Sequence, residues 1–314
     1  MSSSLKKTVA LIPVAGGGKR LRPFTTNYPK ALLQCADRPV LGHILRRVEK
    51  LGVREVIFIT GEHTQMVQDY AQAAFPALAI TCVQQTEALG LGHAVWTARE
   101  EAAGADELLI IYGDSIIDAE LPRDKGWDLA IGVMMVRDPA NFGVVVTDGD
   151  RIIQLVEKPA QPISNRAIAG MNIARNPAAL FSALGELVGK DVRTRGEIQL
   201  TDAFELLLER GHVLHSFRLQ RWLDCGNPEG MLEANRMLLQ RLAPVEIEGC
   251  DIKPPVFVAQ DAIVERSRLG PCVAIAPGAV VRDCTLSDCI VNAGAKLTGI
   301  TIANAIVGPG EVRE

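Results

Sequence analysis

The chain has 314 residues, of which 48% are apolar and 22% charged, with a formal net charge of −4. That length holds one large domain or two smaller ones, and the composition belongs to an ordinary folded chain, not to a disordered or fibrous one. The slight negative charge excludes a whole-molecule basic field that would gather nucleic acid, so any anion site must be local.

The predicted elements begin with an apolar strand at Val9–Ala15. It runs into Gly16-Gly17-Gly18, followed by Lys19, Arg20, Arg22 and, after Pro29, Lys30. Bare glycine backbone can approach a phosphate and aim N–H groups at it, and the cations suit a triphosphate whose charge grows at the leaving group. Arg54–Thr60 and Leu78–Val83 read as further strands, with a helix from Glu62 to Ala74 between them. A helix from Gly92 to Ala103 and a fourth strand, Glu107–Tyr112, follow. Apolar strands spaced by helices imply a doubly wound, mostly parallel α/β sheet covered on both faces. In such sheets ligands sit beyond the carboxyl ends of the strands. The glycine turn and Gly113-Asp114 both belong to that edge.

Beyond Leu129 the pattern is richer in strands, and Asp148-Gly149-Asp150 between Gly143–Val146 and Arg151–Val156 predicts a hairpin. Helices are expected at Pro177–Leu187, Gln199–Arg210 and Pro228–Arg241. After Ala243 the helical pattern stops, and Phe257, Ile263, Leu269, Ile275 and Val281 recur every six residues, with Val291 and Leu297 continuing after a break. That period predicts a short parallel β-helix of some three coils. The expected domains are 1–243 and 244–314. Seven cysteines without a C-x-x-C pair signal neither zinc nor a redox couple. With no leader-like apolar stretch behind Lys6-Lys7 and no run near the roughly 18 apolar residues of a membrane helix, a cytoplasmic protein with reduced thiols and no membrane partner is expected.

Ala15–Pro23 with Pro29-Lys30 resembles the signature of sugar-1-phosphate nucleotidyltransferases, the enzymes that make nucleoside-diphosphate sugars. The similarity continues in order at Gln84-Gln85 with Gly90–Ala94, Tyr112-Gly113-Asp114, Phe142–Val145, Glu157-Lys158-Pro159, Gly196–Asp202 and Trp222–Gly226. It covers nearly all of residues 8–240. The resemblance implies the nucleotide-diphospho-sugar transferase fold and a left-handed hand for the β-helix; so short a coil needs the first domain or another subunit to pack on, and a homo-oligomer through it is expected. It also implies a nucleoside triphosphate and a sugar 1-phosphate as small-molecule partners, and Mg²⁺ held by Asp114 and Asp224. Three departures stand out: Lys19 where Thr or Ser is common, Gln34 where proline is common, and Asn172 where some members carry a sugar-facing aromatic.

The expected reaction is attack of a sugar phosphate oxygen on the α-phosphorus, with pyrophosphate leaving. Both reactants are anions, so charge neutralisation and alignment are the catalytic tasks. Arg20 is the expected guanidinium clamp on the triphosphate, and Lys30 the cation at the α-phosphate or the attacking phosphate. Ala15, Gly16 and Gly17 supply backbone to the nucleotide. Gln85, Gly90 and Leu91 form the base segment, where a glutamine amide can pair with uracil or thymine. By resemblance Glu157 takes sugar hydroxyls and Lys158 the sugar phosphate, with Gly143, Gly170, Asn172 and Thr201 around them. UTP and dTTP stay open, because one ring methyl is worth on the order of 1 kcal/mol. Glucose 1-phosphate is the expected acceptor, with mannose-1-phosphate guanylyl transfer and a non-catalytic regulatory homologue as alternatives. A dinucleotide oxidoreductase fits poorly because G-x-G-x-x-G is missing. An acyltransferase on the β-helix fits poorly because residues 257–314 contain no histidine.

Overall fold

The first apolar run becomes strand β1 (Thr8–Pro13) in the computed structural model of the chain, which describes residues 6–122 and 126–314. Most of the N-terminal segment read for a leader lies outside those residues. Strands β2 (Glu55–Thr60), β3 (Ala79–Gln84) and β4 (Glu107–Ile111) join β1 in parallel. Five more complete a nine-stranded sheet: β5 (Leu129–Met135), β6 (Gly143–Asp148), β7 (Arg151–Glu157), β8 (Arg166–Ala174) and β9 (Leu214–Arg218), in the order β3-β2-β1-β4-β8-β5-β9-β7-β6. Strand β8 runs antiparallel to both β4 and β5. The predicted hairpin forms at β6–β7, and Gly149 takes φ +59° in its turn.

Both sheet faces are covered, which is why the first strands are near-continuous apolar runs. Val9, Leu11, Ile57, Ile59, Leu108 and Ile110 point to one side and pack with helices α3 (Leu91–Thr97), α4 (Pro177–Gly189) and α5 (Leu200–Glu209). The intervening Ala10, Ile12, Val56, Phe58 and Leu109 are buried as well, and α2 (Thr64–Ala74) packs by β3. Helix α3 is shorter than the expected Gly92–Ala103. After Thr97 the Ala98 and Arg99 amides turn back to residues three before them, and Thr97 Oγ1 donates to the His93 carbonyl. Such back-bonding is a common way for a hydroxyl to end or bend a helix.

The chain divides into two units. The first takes the chain up to Gly16 with Ile44–Trp222, and the second takes Gly17–His43 with Leu223–Glu314. Helix α1 (Val40–Lys50) carries the chain from the second to the first. Within the second unit lie two short 3₁₀ turns, Lys19–Leu21 and Lys30–Leu32, helix α6 (Pro228–Leu239) and a set of short parallel strands. The 243/244 boundary falls in the connection between α6 and the first of those strands, Asp251–Ile252.

Those strands stack as coils of a parallel β-helix. Val256, Val273 and Cys289 align on one side, and Leu269, Leu286 and Ile302 on another. Ala305 extends the first column and Ile252 the second, and a third holds Ile263, Val280, Lys296 and Val312, so all three run to four levels, one more than expected. Leu269, Ile275, Val281, Val291 and Leu297 fill the coil interior as the six-residue period predicts. Phe257 and Ile263 break the pattern: neither joins the coil interior, Ile263 is 44% exposed, and their neighbours Val256, Val258 and Val264 pack inward. A strand alternates faces, so a phase shift of one residue exchanges the inward and outward positions.

All seven cysteines are free thiols. No helix among the described residues is long and apolar enough to cross a membrane.

Candidate active site

In the first unit, the carboxyl edge of the sheet gathers four of the expected segments. The Gly113 amide donates to the Pro13 carbonyl at 3.2 Å, and a Cβ at residue 113 would stand 2.4 Å from that oxygen. Only glycine lets the turn carrying Asp114 lie against the end of β1. Gly61, after β2, comes similarly close to the Ala15 carbonyl. Ala15 is half-buried, and Gly16 is exposed.

The base segment is held by α3 and the chain before α5. Gly90 has φ +114°, and a Cβ there would meet the Ile198 carbonyl at 2.7 Å. Gln85 Nε2 donates to the Gly90 carbonyl at 3.2 Å and lies 3.0 Å from His93 Nδ1. Leu91, beside it, is half-buried against the core. Burial holds the His93 imidazole below its ordinary value, with Glu87 pulling the other way. His93 therefore orients the glutamine amide. No local pattern announces that contact, because it closes across a turn of eight residues.

Glu157, at the end of β7, is held on both carboxylate oxygens. Its Oε2 accepts from Thr201 Oγ1 at 2.8 Å, and its Oε1 pairs with Lys158 Nζ at 3.2 Å. Lys158 itself has φ +45°, its amide donates to the Phe142 carbonyl, and its carbonyl accepts from Arg195 Nη2 at 2.9 Å. Gly143 is buried beside them, and a Cβ there would meet Glu157 Oε2 at 2.8 Å and Thr201 Oγ1 at 2.9 Å. Its lack of a side chain makes room for the Glu157–Thr201 pair. Gly170, at φ +78°, does the same for the Tyr112 ring, which a Cβ would approach to 3.0 Å. Burial, with Glu157 adding to it, pushes the Tyr112 phenol above its usual range. Asp202 is also raised by burial, the Thr194 hydroxyl opposing and Glu157 adding.

Asn172, expected beside the sugar, is enclosed in the sheet. It sits in β8 opposite Ile110 on one side and Ile131 on the other, with no exposed surface. Tyr112 lies beside its amide, but neither amide atom makes a hydrogen bond of normal geometry. Sequence reasoning also missed the aromatic wall next to these groups: Trp222 Nε1 donates to Ser115 Oγ at 3.2 Å and meets Phe142 edge-on at 5.1 Å.

The second unit holds the cations. Gly18 takes φ +55°, Thr25 Oγ1 donates to its carbonyl at 2.9 Å, and the 3₁₀ turn that follows exposes Lys19, Arg20 and Arg22. Gly17 is open, with nothing near an added Cβ. Lys30 opens the second 3₁₀ turn and is half-buried. Asp224 Oδ1 accepts from the Gly226 amide at 2.9 Å. A Cβ at residue 226 would stand 2.7 Å from Arg20 Nη2 and 2.9 Å from Asp224 Oδ1. The Arg20 guanidinium thus lies over the Asp224–Gly226 turn. Among the described residues no group of three or more His, Cys, Asp or Glu could hold a metal ion by itself.

Residues 9–241 match the nucleotidyl transferase family. The chain belongs to that family. It is 37% identical to the bifunctional protein GlmU of Methanocaldococcus jannaschii over 262 residues, 83% of this chain and 61% of that protein. It is 28% identical to the glucose-1-phosphate thymidylyltransferase of Streptomyces griseus over 323 residues, 93% of this chain and 89% of that one. The crystal structure of a UDP-glucose pyrophosphorylase complexed with UDP-glucose superposes with a TM-score of 0.63 at 24% identity, covering 75% of this chain and 99% of the other. That likeness establishes the shared fold.

Proposed function

We propose that this chain transfers a nucleotidyl group from UTP or dTTP to a sugar 1-phosphate, glucose 1-phosphate first among them, and releases pyrophosphate. The observation that carries the reading is Glu157 beside Lys158. A carboxylate oriented on both oxygens retains lone pairs for sugar hydroxyls, and the adjacent ammonium suits the phosphate on the same sugar. Family membership and the thymidylyltransferase relative support it.

In this reading Arg20 binds the triphosphate oxygens in pairs and takes up charge as pyrophosphate departs. Lys30 neutralises the phosphate at the reacting centre, so that two anions can align. Ala15, Gly16 and Gly17 offer backbone to the nucleotide, and Gln85, held by His93 and Gly90, reads the base edge with Leu91 alongside. Asp114 and Asp224 are the proposed carboxylates for Mg²⁺. Two carboxylates leave positions for phosphate oxygens and water, the donor set this ion prefers, and Asp224 is already oriented by the Gly226 amide. When bound, the ion supplies further neutralisation of phosphate charge. Self-association through the coils belongs to the same reading and is tested by sedimentation of the full chain.

The deciding experiment is pyrophosphate release from a matrix of five nucleoside triphosphates against several sugar 1-phosphates, with and without Mg²⁺. Turnover confined to UTP or dTTP with a hexose 1-phosphate is expected. No release with any pair overturns the proposal.

A further inference from the structure

The sequence places Gln34 four residues after Lys30, and its amide has an unusual partner. Gln34 N–H donates to Asn292 Oδ1 at 2.8 Å, across 258 positions of chain and in a buried setting. Asn292 is 1% exposed and spends its other amide atom on the Val307 carbonyl at 2.8 Å. Val307 ends the last long strand of the coils, Thr301–Val307. The next residue, Gly308, lies under Phe24: a Cβ there would stand 3.4 Å from Phe24 Cδ1. Gly308 is itself fixed, because its amide donates to Glu311 Oε2, whose partner oxygen accepts from Arg313.

The segment bearing Arg20 and Lys30 is therefore tied to the coils at two points, through Phe24 between the two cations and through Gln34 after them. Between the ties the packing is not continuous. A cleft of about 270 Å³ opens there, lined by Phe24, Tyr28, Pro309 and Glu311 among others. Apolar packing cannot duplicate the polar tie where the wall is open. Between Lys30 and Gln34 stand only one 3₁₀ turn and Leu33, whose extended backbone (φ −62°, ψ 137°) leads directly into the tied residue.

We propose that Asn292 is a positioning residue for the cationic segment: by accepting the Gln34 amide it fixes the turn on which Lys30 stands. The β-helix is then part of the catalytic apparatus as well as a candidate assembly surface. This inference rests on the nucleotidyltransferase reading for its kinetic consequence only. Gln34 also stands where the resembling family commonly has proline, a residue that fixes its own backbone without an N–H. The extended Leu33 backbone is the conformation a following proline requires. The hydrogen bond supplies here what a ring could supply instead.

The test uses the full chain and four variants: Asn292→Ala, Gln34→Pro, the double variant, and Leu297→Ala as a control that loosens the same coil interior. Hydrogen exchange of the Leu33 and Gln34 amides is read together with kcat and both KM values, at a temperature where each variant is folded by circular dichroism. Asn292→Ala removes the bonds to Gln34 and to Val307; losing the one to Gln34 is expected to speed exchange at these amides and lower kcat about tenfold, the worth of a buried hydrogen bond of ordinary strength, with the KM for the sugar phosphate unchanged. The double variant is expected to recover most of kcat. Leu297→Ala is expected to lower Tm without moving kcat or the exchange. Equal kinetic loss in Leu297→Ala, unchanged exchange in Asn292→Ala, or no recovery in the double variant overturns the proposal. A wild-type chain without turnover but with the exchange difference overturns the nucleotidyltransferase reading and leaves the anchor in place.

Discussion

Thr201 Oγ1 donates to Glu157 Oε2 at 2.8 Å, joining the first turn of α5 to the end of β7. The bond settles which way the carboxylate faces. Lys158 Nζ takes the other oxygen, so the charge of Glu157 is matched on one side and its geometry on the other. Gly143 is the space both groups need.

Gly143→Ala puts a methyl group inside that pair. The nearest atoms belong to a strand-end carboxylate and a helix-anchored hydroxyl, and neither is the loose end of a long side chain. Glu157 must turn away from Thr201. The expected outcome is a rise of about tenfold in the KM for sugar phosphate, the worth of one charge-assisted hydrogen bond, with the KM for triphosphate little changed. Steady-state kinetics with each substrate varied in turn checks it. A uniform loss on both substrates would assign Gly143 to folding instead.

Arg20→Ala removes the guanidinium from above the Asp224–Gly226 turn. Loss of a group that meets developing charge costs roughly a hundredfold to a thousandfold in kcat. Arg20→Lys is expected to recover only part, because a point charge cannot bind two oxygens at once. Gly226→Ala acts in the same direction by displacing the guanidinium and the Asp224 carboxylate together. Single-turnover pyrophosphate release separates these effects from product dissociation. Wild-type rates in Arg20→Ala would remove Arg20 from the mechanism.

Much of the first unit was legible in the sequence for a specific physical reason. Strands β1, β2 and β4 are covered on both faces, so they are short apolar runs with little else they could be. The β6–β7 hairpin was legible because Gly149 must take a positive φ. Strand β8 was not, because Gly170 and Asn172 interrupt its apolar run. Their reasons, space for the Tyr112 ring and an amide beside it, exist only once β4 is alongside. Helix α1 was missed although Val40, Leu41, Ile44, Leu45 and Val48 recur at helical spacing and are buried; Pro39 before it and Gly42 within it are breaker residues that masked the period. Of the proposed site, the glycine turns and the charged residues at the strand ends were readable from the chain. The groups that hold them were not. His93 reaches Gln85, Thr201 reaches Glu157 and Asn292 reaches Gln34 through contacts that no spacing encodes.

His93 gives the site a pH dependence with a definite sign. Burial lowers its folded value beneath the ordinary 6.5 or so. The unfolded chain therefore takes up the proton first as pH falls, and the stability contributed by the neutral ring is present above that value and lost as pH falls through the folded one. Protonation would also set a second donor against Gln85 Nε2, 3.0 Å away. The opposing charge is Glu87. The KM for triphosphate is expected to be flat between about pH 8 and 7 and to rise on acidification below about 6.5, while the KM for sugar phosphate stays level. His93→Asn is expected to flatten the profile, and an identical acid limb in that variant would place the titrating group elsewhere.

Asn172→Val tests whether the buried amide reads the sugar or only occupies the sheet. The residue has no exposed surface, and its amide atoms make no hydrogen bond of normal geometry, only a loose contact with the buried Tyr112 phenol. Leaving polar atoms unpaired inside a protein costs about 1–3 kcal/mol, and replacing them with an apolar group of similar size is neutral or stabilising. Valine also suits a strand interior flanked by Ile110 and Ile131. Thermal melting is expected to give a Tm equal to or above that of the wild type. The KM for sugar phosphate is expected to stay within about twofold, because binding changes of less than roughly 0.4 kcal/mol fall inside that range. A tenfold rise with Tm unchanged would mean that β8 opens on substrate binding and that the amide does reach the sugar.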